Sequence, residues 1–160
     1  MRGRTGRRAG ALIGLVALAL VGGCSKGYET GEIEEARVGS GDLVATMGVE
    51  TAGEVVELTL YVTNGTEEPI ELEFSSGQRF DFQVARMDGD EPGETLWTWS
   101  ADKSFLQALG TETLAPGASL RYSAEWHSGG LRGEFIARGD VVSTSHPVRQ
   151  SARFELAGDE

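Results

Sequence analysis

Val56-Glu57-Leu58-Thr59-Leu60-Tyr61-Val62-Thr63-Asn64-Gly65, followed four residues later by Ile70-Glu71-Leu72-Glu73-Phe74, is the stretch that decides the fold class. In the first run Val56, Leu58, Leu60 and Val62 alternate with Glu57, Thr59 and Tyr61. In the second, Ile70, Leu72 and Phe74 alternate with Glu71 and Glu73. A period of two puts apolar side chains on one face of a strand and polar ones on the other, the pattern of a half-buried sheet. Asn64-Gly65 breaks the first run, and the two runs read as a hairpin.

The same period extends outward from Leu43. Phe80, Phe82 and Val84 alternate with Asp81, Gln83 and Ala85, and that strand is closed by Asp88-Gly89 and a polar loop to Glu94. Leu120, Tyr122, Ala124 and Trp126 follow the turn Ala115-Pro116-Gly117 and end at Ser128-Gly129-Gly130. Phe135, Ala137 and Val141, then Val148, Ala152, Phe154 and Leu156, complete the set. Seven to eight short strands, turn signals between them and no amphipathic helix predict an all-β chain, an immunoglobulin-like antiparallel β-sandwich, with a small barrel as the alternative. Periodicity fails in one place. Leu96-Trp97-Thr98-Trp99-Ser100 reads as a strand, but Ala101 to Leu114 carries Phe105, Leu106 and Leu109 without alternation, so a strand, a turn and a strand entry are expected there.

Residues 1–23 read as a signal peptide. Arg2, Arg4, Arg7 and Arg8 give a positive start, and Ala9 to Val21 is an apolar run shorter than the roughly 20 residues a bilayer span needs. Val21-Gly22-Gly23-Cys24 resembles the bacterial lipobox. That resemblance implies a diacylglyceryl group on the sulfur of Cys24 and cleavage that makes Cys24 the first residue. The alternative is a plain secretory signal followed by a free thiol. Ser25 after the cysteine, under the rule of that family, favours the outer membrane in a Gram-negative host. Cys24 is the only cysteine in the chain, so no intrachain disulfide forms. Several acyl chains on one residue exceed the single-chain limit below which anchoring is marginal.

The segment 1–23 holds four of the 14 Lys and Arg and none of the 25 Asp and Glu, leaving a net charge of −15 on the remaining 137 residues. Such a surface repels nucleic acid and anionic headgroups, so nucleic-acid binding is not expected. Residues 24–42, the acylated cysteine and then a Gly- and Glu-rich stretch with Glu29, Glu32, Glu34 and Glu35, are expected to form a self-repelling spacer. Residues 43–157 are expected to form one domain, large enough to bury a core without disulfide or metal.

Across that domain several motifs occur in one order. They are Asn64-Gly65-Thr66, the run Phe74-Ser75-Ser76-Gly77-Gln78-Arg79-Phe80-Asp81-Phe82, the segment Leu96-Trp97-Thr98-Trp99-Ser100, Phe105, Leu114-Ala115-Pro116-Gly117 and Trp126. Their order and spacing resemble the BsuPI family, the intracellular proteinase inhibitor domain, over roughly Leu43 to Leu156. The motifs themselves read as structural. Gly77 suits a sharp turn, Gln78 carries donors and acceptors for backbone groups freed there, and the aromatic residues bring apolar area to the centre of the sandwich. The chain departs from the family where Arg132-Gly133-Glu134-Phe135 stands for Pro-Gly-x-Tyr. The missing tyrosine hydroxyl removes one corner hydrogen bond of the kind seen in immunoglobulin-like sandwiches, while ring packing is retained. A second departure is the export signal, since the resemblance implies an inhibitor acting inside the cell.

Catalytic signatures are weak. His127 and His146 are the only imidazoles, and no serine sits on a strained Gly-x-Ser-x-Gly turn. Asp88-Gly89-Asp90-Glu91 lacks the third acidic position and closing Glu of a calcium loop and reads as a solvated turn. No Cys/His spacing suits zinc, and no cofactor is expected. Asn64-Gly65-Thr66 matches a glycosylation sequon but reads as the turn it spells.

Two functions are therefore expected. The first is a non-catalytic protein-binding or assembly module of the cell envelope, a monomer tethered to the membrane through Cys24. The alternative is an inhibitor of a serine protease acting through the exposed loop Ala101, Asp102, Lys103, Ser104 and Phe105, with Lys103 or Phe105 offered to a specificity pocket. Against that placing stands a structural reading in which Phe105 belongs to the core and Lys103 is merely solvated.

Overall fold

The computed structural model of the protein describes residues 41–157. The expected signal peptide, the lipidation site at Cys24 and almost all of the acidic spacer lie outside the described residues. Nine strands are present among those described: β1 Leu43–Ala52, β2 Val55–Asn64, β3 Ile70–Phe74, β4 Phe80–Asp88, β5 Glu91–Thr98, β6 Gly110–Leu114, β7 Ser119–His127, β8 Gly133–Val141 and β9 Val148–Leu156. A short 3₁₀ turn, Trp99–Asp102, follows β5. Every pairing is antiparallel. The strand orders are β1-β2-β7, β5-β4-β8-β9 and the two-stranded β3-β6. The all-β antiparallel sandwich expected from the alternation is observed, with nine strands in place of seven to eight.

The alternating residues meet between the sheets. Val56, Leu58, Leu60 and Val62 of β2 are all 0% exposed, and they share the interior with Leu43, Ala45, Met47 and Val49 of β1. Phe82, Val84, Phe135, Ala137, Ala152 and Phe154 arrive from the facing sheet. Each Val, Leu, Met or Phe among them contributes about 1.5–3 kcal/mol on burial, and each alanine less. A Cβ on Gly139 would lie 3.0 Å from the Phe82 ring and 3.1 Å from Met47 Sδ, so a glycine at that point of β8 lets the two sheets close. At one side Gln150 Nε2 of β9 donates to the Ala45 carbonyl of β1 at 3.2 Å, joining the sheets. At the end where β8 begins, Phe135 packs on Trp126 at 5.7 Å and Phe154 at 5.6 Å, which is the ring packing expected where the family's tyrosine is replaced.

Three sequence expectations need correction. The runs 56–62 and 70–74 are not a hairpin. β2 pairs with β1 and β7, and β3 pairs with β6. The hairpin partner of β2 is β1, joined through Gly53 at φ 62°. Asn64 is instead a clamp, 1% exposed. Its Nδ2 donates to the carbonyls of Glu68 at 2.8 Å and Leu114 at 2.9 Å, while Oδ1 accepts from Thr66 N at 2.9 Å and Thr66 Oγ1 at 2.7 Å. A side chain that satisfies carbonyls on two segments carries the chain over to the neighbouring sheet rather than back along the same one.

Second, the polar stretch after Asp88 is not a long loop. Gly89 and Asp90 make a two-residue turn with Gly89 at φ 62°, and β5 starts at Glu91. As an edge strand exposed along Glu91–Thr95, β5 has no buried face there to enforce alternation, and its Pro92 and irregular register suit an edge. Third, Trp99 and Ser100 leave the strand and form the 3₁₀ turn.

Candidate functional site

The irregular segment 99–109 carries the two most exposed large apolar side chains among the described residues, and it is held from beneath by an aromatic stack. Phe80 at the start of β4 lies against Tyr122 of β7, 4.9 Å between ring centroids, and against Trp99 at 4.2 Å. Trp99 in turn meets Phe105 at 5.9 Å. Asp81 fixes the 3₁₀ turn: Ser100 N donates to Oδ1 at 3.1 Å and Ser100 Oγ donates to Oδ2 at 2.5 Å. The sequence places Asp81 outward beside Phe80 and Phe82, so one strand supplies both the ring under the turn and the carboxylate that holds it.

Of the expected contact residues, Ala101, Asp102, Lys103 and Ser104 are exposed and Phe105 is half-buried. Ala101 and Asp102 belong to the 3₁₀ turn. Lys103 Nζ donates to the Trp99 carbonyl at 2.8 Å and to Asp102 Oδ1 at 2.9 Å, and sits 4.7 Å above the Trp99 ring. That ammonium holds the exposed Asp102 carboxyl below its usual range. Phe105 is half-buried on Trp99. Lys103 is therefore solvated but anchored, and Phe105 packs at the margin of the core.

Beyond Phe105 the chain runs to β6 with no secondary structure, and Leu106 and Leu109 stand 81% and 89% exposed. The run is anchored at its middle, where Gly77 N donates to the Leu106 carbonyl at 2.8 Å. The chain bends at residues 75–77 as expected, without Gly77 adopting a left-handed conformation, and the bend brings a backbone donor against the loop. Gln78 acts as expected, its Nε2 donating to the Phe80 carbonyl at 3.1 Å. Arg79 fastens the far end: it donates to Glu112 Oε1 at 2.8 Å and the Ser76 carbonyl at 2.7 Å, and covers the Phe74 ring at 4.4 Å. A Cβ on Gly110 would lie 2.6 Å from its guanidinium, so a larger residue there would have to displace the arginine head. The Tyr122 hydroxyl is buried without a hydrogen-bond partner, and burial, with the Glu112 charge adding, pushes it up to about 12.

The exposure of Leu106 and Leu109 is not singled out by the sequence. The available signal was that they sit where alternation fails, since an apolar residue outside any period has no assigned buried face. The two histidines do not come together. His127 ends β7, and His146 lies in the β8–β9 connection with Nδ1 3.1 Å from Ser145 Oγ. β8, nine residues long, lies between them in the chain. At the acidic turn, Arg153 donates to the Asp90 carbonyl at 2.7 Å and pairs with its exposed carboxylate at 3.6 Å.

The family model BsuPI, described as intracellular proteinase inhibitor, matches residues 43–146. The chain belongs to the BsuPI family. The match ends before β9, yet β9 pairs with β8 along its whole length and buries Ala152 and Phe154, so in this BsuPI protein the sandwich extends to Leu156. No curated protein sequence matches the chain. Among solved structures, the sporulation control protein Spo0M from Bacillus subtilis is similar at 14% identity and a TM-score of 0.44, over 72% of this chain and 49% of Spo0M. The chain thus spans about half the length of that protein. The putative ApaA protein from Bordetella pertussis is similar at 18% identity and a TM-score of 0.39, over 72% of this chain and 93% of that one. The GAE domain of GGA2p from Saccharomyces cerevisiae is similar at 10% identity and a TM-score of 0.32, over 79% and 98%.

Proposed function

We propose that this BsuPI protein is a non-catalytic lipoprotein of the cell envelope that binds another envelope protein through the segment Leu106–Leu109. The observation that carries the reading is the pair of leucines at 81% and 89% exposure on a loop tied to the body of the sandwich. Isolated exposed apolar residues are ordinary, but two on one anchored loop, backed by half-buried Phe105, make a preorganised contact whose ordering cost is already met by the fold. The lipid at Cys24 supplies the location: a diacylated and acylated cysteine holds the domain outside the cytosol on an acidic spacer. Affinity capture of the full chain from its own membranes, compared with Leu106→Ala/Leu109→Ala, tests the contact. A partner retained by both forms would overturn the assignment of the loop. Cys24→Ser tests the tether; the variant is expected to leave the membrane fraction and to lose palmitate labelling.

A second reading is favoured by the family and by the backbone of 103–109, which has no helix or strand and stands on a rigid support. In this reading the partner is a serine protease and the loop enters its cleft. Incubation with a panel of serine proteases decides between them: absence of inhibition at micromolar protein removes the protease and leaves the envelope partner.

A further inference from the structure

Beside the displayed leucines stand exposed carboxylates of β3. β3 and β6 pair with Glu71 opposite Thr113 and Glu73 opposite Thr111, so both carboxylates stand on the outward face of that small sheet, with Glu67 and Glu68 exposed just before it. Glu73, Phe74, Ser75, Leu109, Thr111 and Thr144 line a shallow recess of about 380 Å³. The nearby cations are committed elsewhere. Arg79 is bound to Glu112, which shares the inward face with Leu72, and Lys103 is bound to Asp102 and the Trp99 carbonyl. Among the described residues no ion pair involves Glu71 or Glu73. The free edge of β3 is also closed, because Thr144 N donates to the Glu73 carbonyl at 2.8 Å and Ser145 Oγ to the Glu71 carbonyl at 3.0 Å. What remains open to a partner is therefore side-chain chemistry: an apolar recess and two leucines, bordered on one side by uncompensated carboxylates.

We infer that the segment docking at Leu106–Leu109 is an extended stretch of partner protein in which an apolar side chain, seated in the Phe74–Leu109 recess, is flanked by Lys or Arg that reach Glu71 and Glu73. This rests on the loop being the contact surface, and it names the chemistry the contact selects. Rim carboxylates of this kind chiefly steer and discriminate, penalising a like-charged partner, and they are screened by salt.

The test uses the full chain in uncharged detergent micelles and two synthetic probes: a peptide with Leu-Val-Leu between lysines, and the same peptide with glutamates in place of the lysines. Fluorescence anisotropy is expected to show the lysine peptide binding roughly three- to tenfold tighter, as two surface ion pairs allow. Raising the salt is expected to shrink that preference. Glu71→Lys/Glu73→Lys is expected to reverse it, whereas Glu91→Lys/Glu94→Lys on β5, with the same change in net charge, is expected to leave it in place. Leu106→Ala/Leu109→Ala is expected to weaken both peptides. Equal binding of the two peptides, lost on truncating the leucines, would overturn the charge selection while sustaining the loop as the contact. Binding of neither peptide, or equal effects of the β3 and β5 reversals, would overturn the inference and leave the loop to the membrane capture experiment.

Discussion

Leu58 and Leu60 in β2 and Leu106 and Leu109 in the 103–109 loop are the same residue type put to opposite uses. The first pair is 0% exposed, at the centre of the sandwich, while the second pair is 81% and 89% exposed. The difference follows from backbone periodicity. A strand turns each successive side chain to the other face, so a leucine at every second position is committed to one face. The loop makes no such commitment, and its direction is set by a few fixed points: Trp99 under Lys103 and Phe105, Gly77 at Leu106, and Arg79 over Gly110. Burial in the first region holds the fold together; display in the second is free to serve contact.

The contrast breaks most visibly through stability. Leu58→Ala is expected to cost about 2–5 kcal/mol, through lost burial and a residual cavity, in chemical denaturation followed by far-ultraviolet circular dichroism. A loss below 1 kcal/mol would place that side chain outside the core. Asn64→Ala is expected to cost about 1–3 kcal/mol, since it strands the buried Leu114 carbonyl and releases that of Glu68. Asn64→Asp should not restore the loss, because a carboxylate lacks the two donors that the amide uses.

The loop is sharpened by smaller effects. Trp99→Ala is expected to raise amide exchange across 103–109 while leaving the β2 amides protected, as the ring contacts to Lys103 and Phe105 vanish and only the Lys103 bonds to the Trp99 carbonyl and Asp102 remain. Uniform exchange in the variant would show that the platform does not hold the loop. Tyr122→Phe is expected to be nearly neutral or stabilising at neutral pH, because the hydroxyl it removes has no partner. The folded hydroxyl titrates at about 12 against an ordinary 10, so the native state retains its proton longer than the unfolded chain. Its contribution is complete below pH 10 and is lost as pH rises from 10 to 12. Wild-type stability should fall more steeply than that of Tyr122→Phe across that window. Leu109→Ala closes the series, with a change within about 0.5 kcal/mol expected for an exposed position.

Legibility followed the same division. The strands of the two larger sheets could be read from their apolar alternation because each has one buried face. Of the edge strand β5 only Leu96–Thr98 could be read, since Glu91–Thr95 is exposed on both faces and nothing there selects for a period. Asn64-Gly65 misled for a different reason. The pair is a strong local signal for a tight turn, but the buried amide of Asn64 binds carbonyls of Glu68 and Leu114, the latter 50 positions away, and no local pattern announces that partner. The sequence draws attention to Ala101–Phe105 because Lys103 and Phe105 are the conspicuous side chains there; in the fold both rest on the Trp99 ring, and the more exposed apolar residues are Leu106 and Leu109, which belong to no period.

From amino-acid order alone came the all-β class, the faces that are buried and membership of the BsuPI family, because alternation and motif spacing are written along the chain. Which strands pair, which way the loop faces and which carboxylates are left without a cation were decided only on folding. Those properties depend on groups far apart in sequence, the Leu114 carbonyl on Asn64, Glu112 on Arg79 and Leu106 on Gly77, and contacts of that kind exist only once the sheets have met.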